Sequence, residues 1–428
     1  MLNPGLRDNY IYRIIIAHYI SSALFLLVIP ILLIFSTEAF LGHYFHPKVL
    51  AITHLTTLGW ITLIIIGSLY QLIPVITNKK IYSPILAFIV YVLILLGTVL
   101  LSISFWIFDV GFLIEIATCF LFLGITLFLV NILLTAKDSK EKSIEIDFIQ
   151  ASMLWFWLTA FIGSLLAFNF RFMFLPKEHL YYLKIHAHIG LIGWFLCLII
   201  GVASKLIPMF LLSGKLNTKI LTYSFYLINL GLLGFIIDAL FFNGMNRVIV
   251  YFIIIFLALL LFLSYIANAF KTRARKKLDI NLKYTYISFF LIFIPVILWV
   301  ILKLDLISDK DIEQQISIAI VYSLLFGFIT FLILGQSFKN LAFIVWIKKY
   351  QHIAGKEKTP LPKDLYSEQV NRIQLYLFIT GFIVTLCGIL LSNPLWIKTG
   401  ALFLIVTAIL YIINILKIFF HKAKVSTH

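Results

Sequence analysis

Two apolar stretches of this chain open on a histidine. HLTTLGWITLIIIGSLYQLIP runs from His54 to Pro74 and HIGLIGWFLCLIIGVASKLIP from His188 to Pro208, and His186 stands two positions ahead of the second. They share one frame, displaced by the step that carries position 54 to position 188: His54, Gly59, Trp60, Gly67, Gln71 and Pro74 become His188, Gly193, Trp194, Gly201, Lys205 and Pro208. An ionisable ring inside an apolar helix is costly and points to a use. Neutral imidazole is the common protein ligand of haem iron, copper and zinc, so the chemistry these residues suggest is ligation, by His54, His188 and His186. Residues two apart on a regular helix diverge by about 200°. His186 and His188 would therefore serve two sites on opposite faces, or one would bind while the other forms a hydrogen bond.

The elements that must position these rings are membrane helices. Of 428 residues, 62% are hydrophobic and only 12% charged, where soluble domains are about half apolar and a quarter charged. Crossing a bilayer takes about 20 apolar residues, and twelve such runs are read at roughly 14–35, 49–77, 82–107, 110–135, 149–170, 184–212, 219–242, 247–270, 284–305, 314–342, 373–392 and 395–420. The fold expected is an all-α polytopic membrane protein, one membrane domain over 1–428 with the lipid bilayer as its surroundings. The formal charge of +16 lies in short loops and termini rather than in a patch laced with aromatics, which argues against nucleic acid and for the positive-inside bias. Lys79 and Lys80, Lys137 to Lys142, Lys215 to Lys219, Lys271 to Lys277 and Lys348 to Lys363 follow the even-numbered spans, so both termini are expected in the cytoplasm. The first run follows Arg7 and Arg13, exceeds a signal-peptide core and has no small-residue cleavage site after it, and is expected to be retained. Cys119, Cys197 and Cys387 are far apart inside apolar runs, which excludes a disulfide framework and leaves them as small hydrophobic filler.

A second step of the same length lands on Tyr322, Gly327, Phe328, Gly335, Lys339 and Ala342, in YSLLFGFITFLILGQSFKNLA. The chain thus reads as three pseudo-repeated four-helix units, 1–140, 141–275 and 276–428, with the marked helix second in each and a cytoplasmic insertion at about 349–364. Glycines at intervals of seven to eight positions let helices approach closely where lipid supplies no hydrophobic drive. Gln71, Lys205 and Lys339 are expected to reach the cytoplasmic interface as anchors.

Twelve helices in three arcs of four, with histidines near the outer ends of helices two and six, resemble subunit I of the heme-copper oxidase superfamily, in the style of the cytochrome-c-type oxidases and nitric oxide reductases. The chain is also similar to the NnrS-type haem and copper membrane proteins. The resemblance covers the whole chain by topology and the helix-two and helix-six motifs by residue. It implies a haem cofactor, with copper as a second candidate, a place in respiratory electron transfer or nitric oxide handling, partners among respiratory membrane subunits or a cytochrome, and the inner membrane of a bacterial cell. In that superfamily a His-x-His pair on helix ten serves two haems, and a His-His pair on helix seven completes a copper site. Here helix ten carries Tyr322 and helix seven, TKILTYSFYLINLGLLGFIIDALFF, has no such pair. The expectation is a haem- or copper-binding protein that is not a self-sufficient oxygen reductase. A bis-histidine haem or a copper site between helices two and six is what the remaining ligands allow.

With the amino terminus inside, helix two runs inward and His54 lies about 8 Å below the outer surface, with His186 and His188 at similar depth. His43, His46 and His179 fall in adjoining outer loops, Glu115 and Asp238 at the outer ends of helices four and seven. Glu115 is read as a partner that orients a histidine ring or as a carboxyl kept neutral by apolar surroundings, and Asp238 and Asp109 as solvated loop-edge residues. Arg171, Lys177, Lys184 and Lys48 could face haem propionates. His18 lies about 6 Å inside the opposite boundary, and His352, His421 and His428 in cytoplasmic segments. No GxGxxG, Walker loop, GxSxG or HExxH occurs, which leaves phosphate binding and hydrolysis without support. The rival readings are a repeat-built transporter or channel with a histidine-lined path and a non-catalytic oxidase partner or assembly protein. Sidedness is open to direct test: accessibility labelling should find residues 138–142 and 272–277 cytoplasmic and residues 43–46 external, and the reverse pattern would move the histidine layer to the inner face.

Overall fold

A computed structural model describes residues 9–137, 139, 142–242, 247–304, 307–355 and 358–422. Among loop and terminal residues used above, Arg7, Asp138, Lys140, Glu141, Lys356, Glu357 and His428 lie outside the described residues. The described chain is helical, with no strand among its elements. Twelve helices are long and apolar enough to cross a membrane: α1 Asn9–Ile34, α2 Pro47–Thr77, α3 Pro84–Ile107, α4 Phe112–Ala136, α5 Ile144–Phe172, α6 His179–Leu211, α7 Lys219–Phe241, α8 Val248–Lys271, α9 Ile280–Lys303, α10 Lys310–Tyr350, α11 Glu368–Leu390 and α12 Pro394–Phe419. The protein is a multi-pass membrane protein.

Helix starts follow local chemistry. The Ser83, Asp279, Ser367 and Asn393 side chains accept from backbone N–H groups of the first turns of α3, α9, α11 and α12, satisfying donors that a helix start leaves over. Pro84 and Pro394 sit in first turns, where the missing N–H costs nothing. α9 breaks at Ile292. Pro295 cannot donate to the carbonyl of Leu291 and its ring crowds it, the usual cause of such a break. α10 runs past the span read from the sequence, to Tyr350. Its polar end is fastened rather than frayed: Lys349 Nζ donates to the carbonyls of Phe419 and His421 (2.6 and 3.1 Å), and Trp346 Nε1 to that of Pro360 (2.6 Å).

The backbone divides into two compact units. One holds α1–α3 and α9–α12; the other holds α4–α8. In the first, α1 crosses α2 at Gly67, where an added Cβ would stand 2.7 Å from His18 Cβ, and α9 crosses α10 at Gly335, where it would stand 2.5 Å from Tyr284 Cβ and 2.9 Å from the Asn281 carbonyl oxygen. In the second, α5 crosses α6 at Gly201, with Phe148 Cβ at 2.7 Å and the Glu145 carbonyl oxygen at 3.1 Å from the same point. Close approach of this kind needs glycine at positions 67, 201 and 335, which are evenly spaced along the chain.

α2, α6 and α10 share an irregularity that regular apolar patterning does not announce. Each widens into a π-helix, over Leu55–Thr62, Ile189–Leu196 and Ser323–Thr330, so the wide segments recur at the same even spacing as the glycines. Single wide turns of this type are uncommon and gather at functional sites. The tight crossings give a direct expectation. Gly335→Ala must push against Tyr284 Cβ and a carbonyl oxygen, neither of which can swing away, and should destabilise the purified protein by about 1–3 kcal/mol. Gly42→Ala, whose nearest neighbour would be the Ala39 carbonyl oxygen at 3.9 Å, should leave the thermal unfolding midpoint unchanged.

Candidate functional site

The histidines stand immediately ahead of the wide turns. His54 ends the regular first part of α2, and Leu55 opens the π segment; His188 and Ile189 repeat the arrangement on α6, and Tyr322 and Ser323 on α10. Within each wide segment the sequence places a glycine followed by an aromatic residue. The glycine receives a neighbouring aromatic side chain: Phe25 packs 2.7 Å from where a Cβ of Gly59 would stand, Trp155 2.7 Å from that of Gly193, and the Phe382 ring 2.7 Å from that of Gly327. The aromatic that follows turns into the core. Trp60 donates from Nε1 to Thr330 Oγ1 (3.0 Å), joining the wide segments of α2 and α10 within one compact unit, and lies edge-on to Tyr411. Trp194 stacks on Phe156 at 4.3 Å in the other unit.

The ring geometry is repeated as well. His54 Nδ1 lies 2.8 Å from the carbonyl oxygen of Leu50, and His188 Nδ1 2.7 Å from that of Lys184. A carbonyl only accepts, so Nδ1 carries the proton and Nε2 is the basic nitrogen. That tautomer is the one a metal ligand needs, with its orientation set by the hydrogen bond at the other ring nitrogen. Each ring also rests on an aromatic of the next helix: His54 on Phe105 of α3 at 5.1 Å, His188 on Phe235 of α7 at 5.1 Å, and Tyr322 on Phe382 of α11 at 5.7 Å. His186 points elsewhere. Its Nδ1 is 3.0 Å from the carbonyl oxygen of Thr159, and Cε1 lies 2.9 Å from where a Cβ of Gly163 would stand, both on α5. The two histidines of α6 therefore face different neighbours, α5 and α7. His54 belongs to one compact unit and His186 and His188 to the other.

Among the described residues no three His, Cys, Asp or Glu side chains gather as a metal-holding group. A haem would need only single imidazoles from the protein, and those of His54, His188 and His186, each held by a carbonyl at Nδ1, are the ones that would serve it.

Several other residues differ from their sequence reading. Glu115 pairs with Arg171 at 3.4 Å, which gives both the carboxylate and that guanidinium an ordinary partner. Asp238 is buried, not a solvated edge residue, because Arg247 reaches over it as a salt-bridge partner. Lys177 donates to the Ala239 carbonyl (3.2 Å) and sits over the Tyr181 ring. Gln71 is buried rather than extended to the interface, since α2 continues beyond it. Lys339 pairs with Asp279 at 3.0 Å. Cys197 is buried, as a small hydrophobic residue would be. His18 is fully buried over Gly67, with Nδ1 2.8 Å from the Ile14 carbonyl oxygen and no hydrogen-bond partner at Nε2. The wide segments, the Nδ1 contacts and the Phe105, Phe235 and Phe382 rings escaped sequence reading; the duplicated Gly-Trp pair was their only trace.

No family model matches the chain. It is 30% identical over 161 residues to a protein of Aquifex aeolicus (strain VF5) described as "Uncharacterized protein". The match takes in 38% of this chain and 37% of that relative, so the chain spans little more than a third of the relative's length in the matched region.

Proposed function

We propose that this protein is a haem-binding membrane protein on a scaffold like that of heme-copper oxidase subunit I, built of three four-helix repeats with both termini in the cytoplasm of a bacterial cell, in its inner membrane. One observation carries the reading: His54 and His188, at equivalent places in the repeated frame, both enter a π-helical segment with Nδ1 bonded to the carbonyl one turn back. A hydrogen bond to the backbone fixes the ring's tautomer and its angle before any metal arrives, which lowers the ordering cost of ligation. Core histidines satisfied for packing alone would not be expected to repeat the whole arrangement at equivalent positions.

When bound, the haem would supply one-electron chemistry or capture of a small gas such as nitric oxide. The chain's own part would be to offer imidazole nitrogens to the iron: His54 on α2 within one compact unit, and His188 or His186 on α6 within the other. Phe105 and Phe235 brace the rings. Copper is the lesser candidate, because among the described residues the donors converge in no group of three. Tyr322 stands where a third repeat-related histidine would be, and α7 has no histidine, so electron transfer, gas sensing or delivery within a respiratory assembly fits better than independent oxygen reduction. Arg171 and Asp238 have local partners and are assigned no part.

Purified protein from haem-sufficient cells should show a low-spin haem spectrum. His54→Gly and His188→Gly should each lower it several-fold, with partial return on addition of free imidazole, while His18→Ala leaves it unchanged. Imidazole rescue separates loss of a ligand from loss of fold. Colourless, metal-free protein would reject the reading in favour of a transporter, and a spectrum lost only in His18→Ala would move the ligand to α1.

A further inference from the structure

Next to His54 along α2, the first compact unit holds a cavity of about 340 Å³ between α1, α2 and α3. This is within the size range of small-molecule sites. Its walls are hydrocarbon: Ala51 and Leu55 from α2, Phe25 as the floor, and Ser102, whose hydroxyl is spent on the Thr98 carbonyl oxygen at 2.8 Å. Val28 and Ile103 line it and are 39% and 45% exposed, so it opens sideways toward the bilayer rather than toward water.

Its length suits part of an acyl chain. Along α1 the lining runs from Phe25 to Leu32, about 10 Å along the axis, which falls within the ~15 Å that half of a ~30 Å hydrocarbon core provides. At the membrane-surface end Trp106 forms the rim, and Lys48 Nζ stands over its ring at 5.2 Å. Burial, and then the Lys48 charge, hold the neighbouring His46 imidazole below its ordinary pKa, which leaves Lys48 as the cation of this rim.

We propose that this cavity is a binding site for an anionic phospholipid, with one acyl chain along Leu55 to Phe25 and the phosphate at Lys48. A quinone fits the site less well, because its head group needs hydrogen-bond donors inside and the walls offer none. The site stands independently of haem ligation. It touches the same helix, since Phe25 is the ring that fills the space beside Gly59 in the wide segment of α2.

Brominated lipids quench nearby tryptophans, so the Trp106 signal, taken as the difference between the full-length protein and its Trp106→Phe variant in vesicles, reports occupancy. Brominated phosphatidylglycerol should compete for the site about five-fold better than brominated phosphatidylcholine, the preference that one lysine near a lipid phosphate supplies. Lys48→Gln should bring the two lipids level and Lys48→Arg should keep the preference. Val28→Phe, which fills the opening from an exposed position and leaves folding intact, should reduce quenching by both. Equal quenching by the two lipids in the unaltered protein would overturn the proposal, as would a preference untouched by Lys48→Gln or displacement of phosphatidylglycerol by a low mole fraction of prenyl quinone.

Discussion

A polar group in hydrocarbon must find its partner inside the protein, and most features of this chain answer that requirement. Backbone groups are met by helices. Side-chain hydroxyls turn back on their own helix, as Thr56 does to the Ile52 carbonyl, Ser102 to that of Thr98 and Thr118 to that of Ile114. His18, His54 and His188 do the same through Nδ1. For a hydroxyl this ends the matter. For an imidazole it does not, because satisfying one nitrogen defines the other as the base. The bond that makes a histidine tolerable in a membrane helix also fixes its tautomer and ring angle.

Where side chains reach between helices, the widened segments are among the places they do so. Trp60 to Thr330 is one such bond. A π segment changes the rotation per residue, so the histidine ahead of the turn and the tryptophan within it present to different neighbours. Gly59, Gly193 and Gly327 let a ring of the adjacent helix occupy the space beside the widened backbone. Histidine, wide turn and aromatic plug therefore form one arrangement on each of α2 and α6. On α10 the same arrangement carries Tyr322 in place of the histidine.

The sequence made most of the fold legible because the signal is coarse: twelve apolar runs separated by basic loops describe the helices to within a few residues. It erred where polar residues are absorbed by partners distant in sequence or by a longer helix. α10 reaches Tyr350 because Lys349 and Trp346 have carbonyls to bind, and Gln71 is covered because α2 runs on beyond it. Asp238 looked solvated because nothing in its own helix neutralises it; Arg247 does so from the far side of the loop. Of the candidate site, the three histidines and their repeat frame could be read from spacing alone. The wide turns could not, since Leu55–Thr62 and Ile189–Leu196 are as apolar as regular helix, and the direction of each ring depends on backbone geometry that spacing does not encode.

The central claim is that imidazoles prepared in this way hold haem iron. Extracting the purified full-length protein for its haem by the pyridine haemochrome method, with iron counted per polypeptide, tests it most directly. The account predicts about one haem iron or more per chain after haem-sufficient expression, in stoichiometry with the protein across a size-exclusion peak. Protein that elutes folded and monodisperse yet carries neither porphyrin nor iron would contradict it.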